Sequence, residues 1–263
     1  GGHTRVLAGG KVIEKGGVNF SAVYGKPPAS IVTHAGFDPG KVDEFFAAGV
    51  SIVIHPSSPM VPIIHMNVRY FDLGDATWWI GGGIDLTPHY VNPEDAVFFH
   101  RKMKEVCDRF DTAYYPAYKK WADDYFFIQH RNETRGIGGI FFDWLKSDDT
   151  HTFEDRFRFL QGVGESFSGT CCELMRRNSG KPFTEKEKMW QYLRRGRYAE
   201  FNLVYDRGSK FGLESNGRTE SILMSLPPRA DWVYNFEPEK GSPEEQTISW
   251  LRKGIDWVNQ AEV

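Results

Sequence analysis

The chain has 263 residues, 40% of them hydrophobic and 15% aromatic, with a formal net charge of -3. Such a chain can bury a sizeable core, and a single domain over residues 1–263 is expected. The slight acidity excludes the Lys- and Arg-rich surface of a nucleic-acid or anionic-membrane partner, and no stretch nears the roughly 18 uninterrupted apolar residues of a membrane span. Cys107, Cys171 and the adjacent Cys172 offer neither a disulfide framework nor a CxxC metal knuckle. A reducing compartment fits them.

In chain order, residues 5–7, 12–14 and 18–23 read as short strands broken by glycines, the start of a meander. Residues 43–48 read as a short helix, followed by strands over 50–55 and 63–71. The proline-rich link between those two strands is too short for a crossover helix, so they pair antiparallel. Alternation puts Ser51, Val53 and His55 on one face of the first strand and His65, Asn67 and Arg69 on one face of the second. A polar set of His, Asn and Arg points to a lined pocket; the plainer reading is one wet side of a sheet.

Residues 77–80 predict another strand, ending at Gly81, Gly82 and Gly83, with Asp85 in the turn that follows. Asn92 caps a helix whose apolar stripe is Ala96, Phe99, Met103, Val106 and Phe110; His100 beside it reads as a buried, hydrogen-bonded histidine. Helix through Gln129 then gives way to His130, Arg131, Glu133 and Arg135 and to Gly136, Gly138 and Gly139, before a short buried strand over 140–142. The charged group is either a site at a helix-to-loop junction or arginines capping the helix and pairing with Glu133.

A long helix runs from Phe153 to about Asn178, on which Cys171 and Cys172 cannot both face inward. The next begins at a Thr184/Glu187 capping box and is expected to end at the basic cluster Arg194, Arg195 and Arg197. Strands over 198–207 and 221–226, with a turn at Gly217, Arg218 and Thr219, and a helix capped by Ser242 complete the expectation.

Arg69, Arg135, Arg207 and Arg218 at strand ends and turns imply an anionic substrate. His55, His65, His100 and His130 could instead ligate a divalent metal, but no HExxH pair or iron–sulfur spacing is present. A Ser-His-Asp triad is poorly signalled, since no GxSxG elbow exists.

Five stretches carry a resemblance: KKWADDYFFIQHRNETRGIGGIFFD (119–143), VIHPSSPMVPIIHMNVRYF (53–71), WWIGGGIDLTP (78–88), RRGRYAEFNLVYDRGSKFGL (194–213) and GRTESILMSLPP (217–228). Together they resemble the oxygen-dependent coproporphyrinogen III oxidases over nearly the whole chain. Ala122 departs from the pattern, where many members carry cysteine, and the start looks clipped. The resemblance implies an α+β fold with a large flat antiparallel sheet of about seven strands, covered by helices on both faces, in a homodimer. It implies decarboxylation of two of the four propionates of coproporphyrinogen III to vinyls, with dioxygen and no required cofactor, giving protoporphyrinogen IX for haem.

By position, the resemblance makes His65 the proton donor and Asp85 and Asp206 the carboxylates that meet pyrrole N–H groups, raising ring electron density for attack on oxygen. Arg135 and Arg207 become propionate clamps. Ser51, Asn67, Val68, Arg69, Gly217, Arg218 and Thr219 become substrate contacts, with the glycines after Arg135 turning the chain beneath a flat ligand. A metal at His55, His65, His100 and His130 is its weaker alternative. A tetrapyrrole carrier and a metal-dependent oxygenase are the competing functions. The expected compartment is the cytoplasm, or the mitochondrial intermembrane space if a targeting segment once preceded Gly1.

Overall fold

A computed structural model describes residues 1–74, 77–214 and 217–260 of the chain. Its centre is a six-stranded sheet in the order β1-β2-β3-β4-β5-β8, every neighbour antiparallel. The first five strands are β1 (Gly2–Ala8), β2 (Ile13–Gly25), β3 (Phe45–Pro56), β4 (Ile63–Asp72) and β5 (Trp78–Thr87). They form a meander: the links β1–β2, β3–β4 and β4–β5 are too short for anything but a return alongside, and the longer β2–β3 link, which carries α1, also returns to an adjacent antiparallel position. After helices α2 (Pro93–Asp108) and α3 (Tyr114–Tyr125), the two-residue strands β6 (Phe127–Ile128) and β7 (Glu133–Thr134) pair with each other, and β8 (Gly139–Leu145) joins the sheet beside β5.

One face is apolar. Ile54, Ile64, Met66, Val68, Ile80, Ile84, Leu86, Ile140 and Phe142 meet α2, α3 and α4 (Phe153–Asn178) in the main core. Helices start where side chains replace missing backbone partners: Asn92 Oδ1 accepts from Glu94 N at 3.0 Å, and Thr152 and Asp155 cap α4 reciprocally. Cys171 is buried on α4 while Cys172 faces out.

The opposite face is covered at its two ends. At one, the six-residue α1 (Ala29–His34) packs on Phe45, Phe71 and Trp79. At the other lie α5 (Glu185–Val204), which places Tyr198 on Val53 and Ile63, and α7 (Thr219–Leu223), tied to β2 by Asn19 Nδ2 donating to Ser221 O at 2.7 Å. Between α5 and α7 runs α6 (Arg207–Glu214); α8 (Pro243–Trp250), capped by Ser242, closes the chain. The α+β class with helices on both faces is as expected.

Four local expectations are corrected. Residues 45–48 belong to β3, because an edge-to-edge partner in β2 was available from Phe45 onward. Strand β5 runs straight through its three glycines to Thr87, so Asp85 is mid-strand. Of the expected strand 198–207, residues 198–204 are the last third of α5, and 221–226 begins as α7. In the first, alternating polar and apolar residues imitate a strand, yet the capping box at Thr184 and Glu187 launches a helix that nothing stops before Val204. The main sheet therefore has six strands, with a single strand, β2 (Ile13–Gly25), where two short ones were expected over 12–14 and 18–23.

Candidate functional site

The uncovered middle of the second face is built from cross-strand rows. Opposite residues in an antiparallel ladder point the same way, so Val53, His65, Asp85 and Gly139 form one row. Ser51, Asn67, Gly83 and Phe141 form the next, and Gly49, Arg69 and Gly81 the third. The glycines leave a floor without side chains. On two of them a side chain would meet backbone: a Cβ on Gly83 would sit 2.7 Å from Ile140 O, and one on Gly49 would sit 2.7 Å from Val68 O.

The first row holds a charged relay. His65 Nδ1 lies 2.9 Å from Asp85 Oδ1, and Arg135 Nη2 donates to both Asp85 oxygens at 2.8 Å. Asp85 and Arg135 are each 2% exposed, whereas the His65 side chain is 23% exposed. Arg135 is packed among the rings of Phe126, Tyr198 and Phe201, with Nη1 donating to Asn202 Oδ1 at 2.7 Å. Burial alone would push the Asp85 carboxyl up, but the Arg135 guanidinium and the His65 hydrogen bond outweigh it and hold its pKa below the ordinary value. An ionised Asp85 only accepts, so the proton on His65 Nδ1 is fixed and Nε2 is left for the cleft.

In the other rows, Arg69 Nη1 donates to Asn67 Oδ1 at 3.0 Å and Nη2 to Asp143 Oδ2 at 2.7 Å. A wall rises beside Phe141, where the Tyr125 ring stacks at 4.0 Å. Tyr125 Oη donates to Asp206 Oδ1 at 2.9 Å, and Asp206 Oδ2 caps α6 by accepting from Ser209 N at 2.8 Å. The Arg207 guanidinium lies over the Tyr125 ring. Gly217, Arg218 and Thr219 are exposed where α7 begins.

The structure thus brings His65, Asp85, Arg135, Ser51, Asn67 and Arg69 onto one surface, with Asp206 and Arg207 alongside. Val68 is on the other face, its side chain in the main core. Asp143, Tyr125 and Asn202 escaped the sequence reading. Asp143 was legible in one respect: it alternates with Phe141, so it shares that residue's face.

The four histidines do not converge. His55 is fully buried against Ser225 O, and burial pushes its pKa down to about 3. His100 lies on the far side of the sheet between Tyr115 Oη and Ile137 O, each at 2.9 Å. His130 bridges Tyr205 and Glu200. These four residues do not fit a shared metal, and among the described residues no group of three His, Cys, Asp or Glu side chains could hold one.

The charged run 130–135 does not pair within itself: Arg131 forks onto Glu200 at 2.7 and 2.9 Å, and Glu133 accepts from Arg194 at 2.8 Å. Of the glycines after Arg135, Gly139 ends the first row of the floor, whereas Gly136 and Gly138 lie beyond it and let the chain run against β5, where Ile137 N donates to Leu86 O at 3.0 Å. Arg194, Arg195 and Arg197 are mid-helix and paired with Glu133, Glu14 and Glu200. Glu200 joins α5 to the turn at His130 and to Trp232. Burial would raise its pKa, but hydrogen bonds from Arg131, His130 and Trp232 bring it down to about 2. Its contribution is therefore complete above pH 4.5 and lost as pH falls toward 2. In urea titrations at successive pH values, the stability of Glu200→Gln is expected to fall less steeply between pH 4.5 and 2 than that of the unmodified protein; parallel curves would refute this.

Comparison with known proteins adds an independent line. Residues 1–257 match the family model described as coproporphyrinogen III oxidase. The chain is also similar to a protein of Coxiella burnetii (strain Dugway 5J108-111) named oxygen-dependent coproporphyrinogen-III oxidase, 49% identical over 268 aligned positions that cover 98% of this chain and 84% of that protein.

Proposed function

The chain belongs to the coproporphyrinogen III oxidase family, and from that premise we propose that it converts coproporphyrinogen III to protoporphyrinogen IX, using dioxygen as oxidant and no bound cofactor. The observation that carries the assignment to this cleft is the His65–Asp85–Arg135 relay opening onto a glycine floor beside Arg69. A flat floor suits a macrocycle, and a cationic rim suits its propionates.

Each propionate loses its carboxylate as carbon dioxide and one hydrogen, with the C–H electron pair or its equivalent, from the β carbon attached to the ring, leaving a vinyl. If the electron pair passes to dioxygen as peroxide, the balance requires one further proton. His65 is placed to deliver it. Asp85 fixes the ring and Arg135 keeps Asp85 ionised, so Nε2 exchanges protons at the cleft while its partners stay charged. Arg135 is thus assigned to Asp85 and not to a propionate, because its guanidinium is enclosed. Asn67, Arg69, Ser51, Arg207 and Arg218, with the backbone at Gly217 and Thr219, are assigned to the substrate's carboxylates and rim. Asp206 shapes the wall through Tyr125 and remains the candidate for a pyrrole N–H.

Aerobic incubation with coproporphyrinogen III, with products separated chromatographically, tests the reading. Protoporphyrinogen IX is expected in air, not under argon, and undiminished after exhaustive chelation. Binding without product would make the chain a tetrapyrrole carrier, and loss on chelation a metal-dependent oxygenase.

A homodimer is part of the proposal. On the helix-bearing face, α2–α4 lie over β4, β5 and β8 and reach β3 at Ile54, while further out on β1–β3 Leu7, Phe20, Tyr24 and Phe46 stand 47, 46, 80 and 39% exposed. An apolar patch of this kind is normally an interface. Light scattering after size exclusion is expected to give twice the 30.1 kDa chain mass, reverting to one chain in Phe20→Glu/Tyr24→Lys; a monomer before mutation at micromolar concentration would rule the dimer out. No helix is long and apolar enough to cross a membrane among the described residues.

A further inference from the structure

The opposite end of the floor from His65 holds a buried carboxylate with no part in the proton relay. Asp143 is 11% exposed and accepts from Arg69 Nη2 at 2.7 Å. It reaches that position by the alternation it shares with Phe141, and the residue after it enters an irregularity in the β5–β8 ladder. The register shifts between Ile80 and Gly82, opposite Phe142 to Leu145, and Trp144 takes the left-handed φ of 57°. A bulge turns a side chain out of the regular alternation, and a non-glycine residue at positive φ costs free energy that its surroundings must repay. Here Trp144 is clamped by stacking on Trp79 at 4.2 Å, which holds the bulge and with it Asp143.

Gly81 completes the arrangement. A Cβ there would lie 2.4 Å from Asp143 Oδ1 and 2.9 Å from Arg69 Nη2, so the ion pair crosses β5 only because position 81 has no side chain. Arg69 is consequently held at two points, Asn67 and Asp143, out of five N–H donors. Its side chain remains 31% exposed. A guanidinium pinned on two donors has lost most of its rotamer freedom, so a carboxylate docking on the rest need not supply that ordering.

We propose that Asp143, seated by the Trp144 bulge and by Gly81, is a positioning residue that pre-orients Arg69 to receive one substrate propionate. The proposal rests on the assignment of Arg69 to substrate binding. It predicts an effect on KM more than on kcat, because Asp143 touches neither the relay nor the reacting carbon.

Steady-state kinetics with coproporphyrinogen III on Asp143→Ala, Arg69→Ala and the double variant test it, with thermal melts to confirm folding. Asp143→Ala is expected to raise KM about tenfold, with kcat within about threefold. Asp143→Asn keeps an acceptor oxygen and is expected to recover most of the loss. In the Arg69→Ala background, Asp143→Ala is expected to add nothing further. Gly81→Ala, which pushes the pair apart from the other side, is expected to reproduce the KM rise if Asp143→Ala proves too unstable to assay. Independent, multiplying effects of Asp143 and Arg69 would overturn the positioning role while leaving Arg69 a substrate contact. An unchanged KM in Arg69→Ala would overturn the Arg69 assignment itself, and this proposal with it.

Discussion

Replacing Asp85 by Ala is expected to lower turnover about 10³-fold and to destabilise the fold by roughly 3–5 kcal/mol, two losses with separable causes. The stability loss comes from Arg135. Its guanidinium is 2% exposed, and both Asp85 oxygens accept from it at 2.8 Å. Without the carboxylate a buried charge keeps only Asn202 and three aromatic faces. The activity loss comes from His65, whose Nδ1 proton is no longer fixed. Asp85→Ala/Arg135→Leu separates them: removing both charges is expected to restore most of the stability but none of the turnover. Denaturant midpoints and kcat on the same preparations provide the check. Recovery of activity along with stability would show that Asp85 is structural only. Ser58→Ala, at a residue that the relay does not touch, serves as the control.

Gly139→Ala is expected to cost more than about 4 kcal/mol and to abolish soluble expression. A Cβ at this position would lie 2.0 Å from Ile84 O and 3.0 Å from Asp85 Cα, all backbone atoms of the adjacent strand that no rotamer change can move. The φ of 159° adds a conformation that side-chain-bearing residues rarely adopt. Gly164→Ala is the matched comparison. Nothing lies within 4 Å of a Cβ there, and on α4 the change is expected to stabilise by up to about 1 kcal/mol. Thermal melts of both would settle the matter; a Gly139→Ala protein melting like the unmodified one would mean that β8 can move away from β5 at little cost.

Much of the sheet was legible because β4 alternates polar and apolar residues and is joined to β3 by a link too short for another topology. The polar row of His65, Asn67 and Arg69 followed from alternation alone. Asp85 was harder: three glycines before it look like a turn, and only pairing with β4 and β8 on both sides keeps them extended. The last third of α5 failed for a related reason. Tyr198 to Asp206 alternates like a strand, but Tyr198, Phe201 and Asn202 also recur at helical spacing, and it is this set that encloses Arg135. The ion pairs were illegible in principle, since Arg135 was nearer in sequence to Glu133 than to Asp85, and sequence proximity carries no information on which carboxylate the fold delivers.

The meander has a consequence for how the chain folds. Strands β1 to β5 each pair with their neighbour in sequence, whereas the partners of the cleft arrive from further away: Arg135 is 50 residues from Asp85, Asp143 is 74 from Arg69, and Asp206 is 81 from Tyr125. Closing those loops carries an entropic cost that local contacts do not. A chain in which only the meander had formed would hold His65 and Asp85 side by side in water, with the carboxylate hydrated and no guanidinium behind it. Desolvation of the relay is therefore expected to need both the docking of residues 133–145 and the packing of Tyr198, Phe201 and Asn202 from α5, so the site is expected to acquire its charge pattern only after the meander has formed.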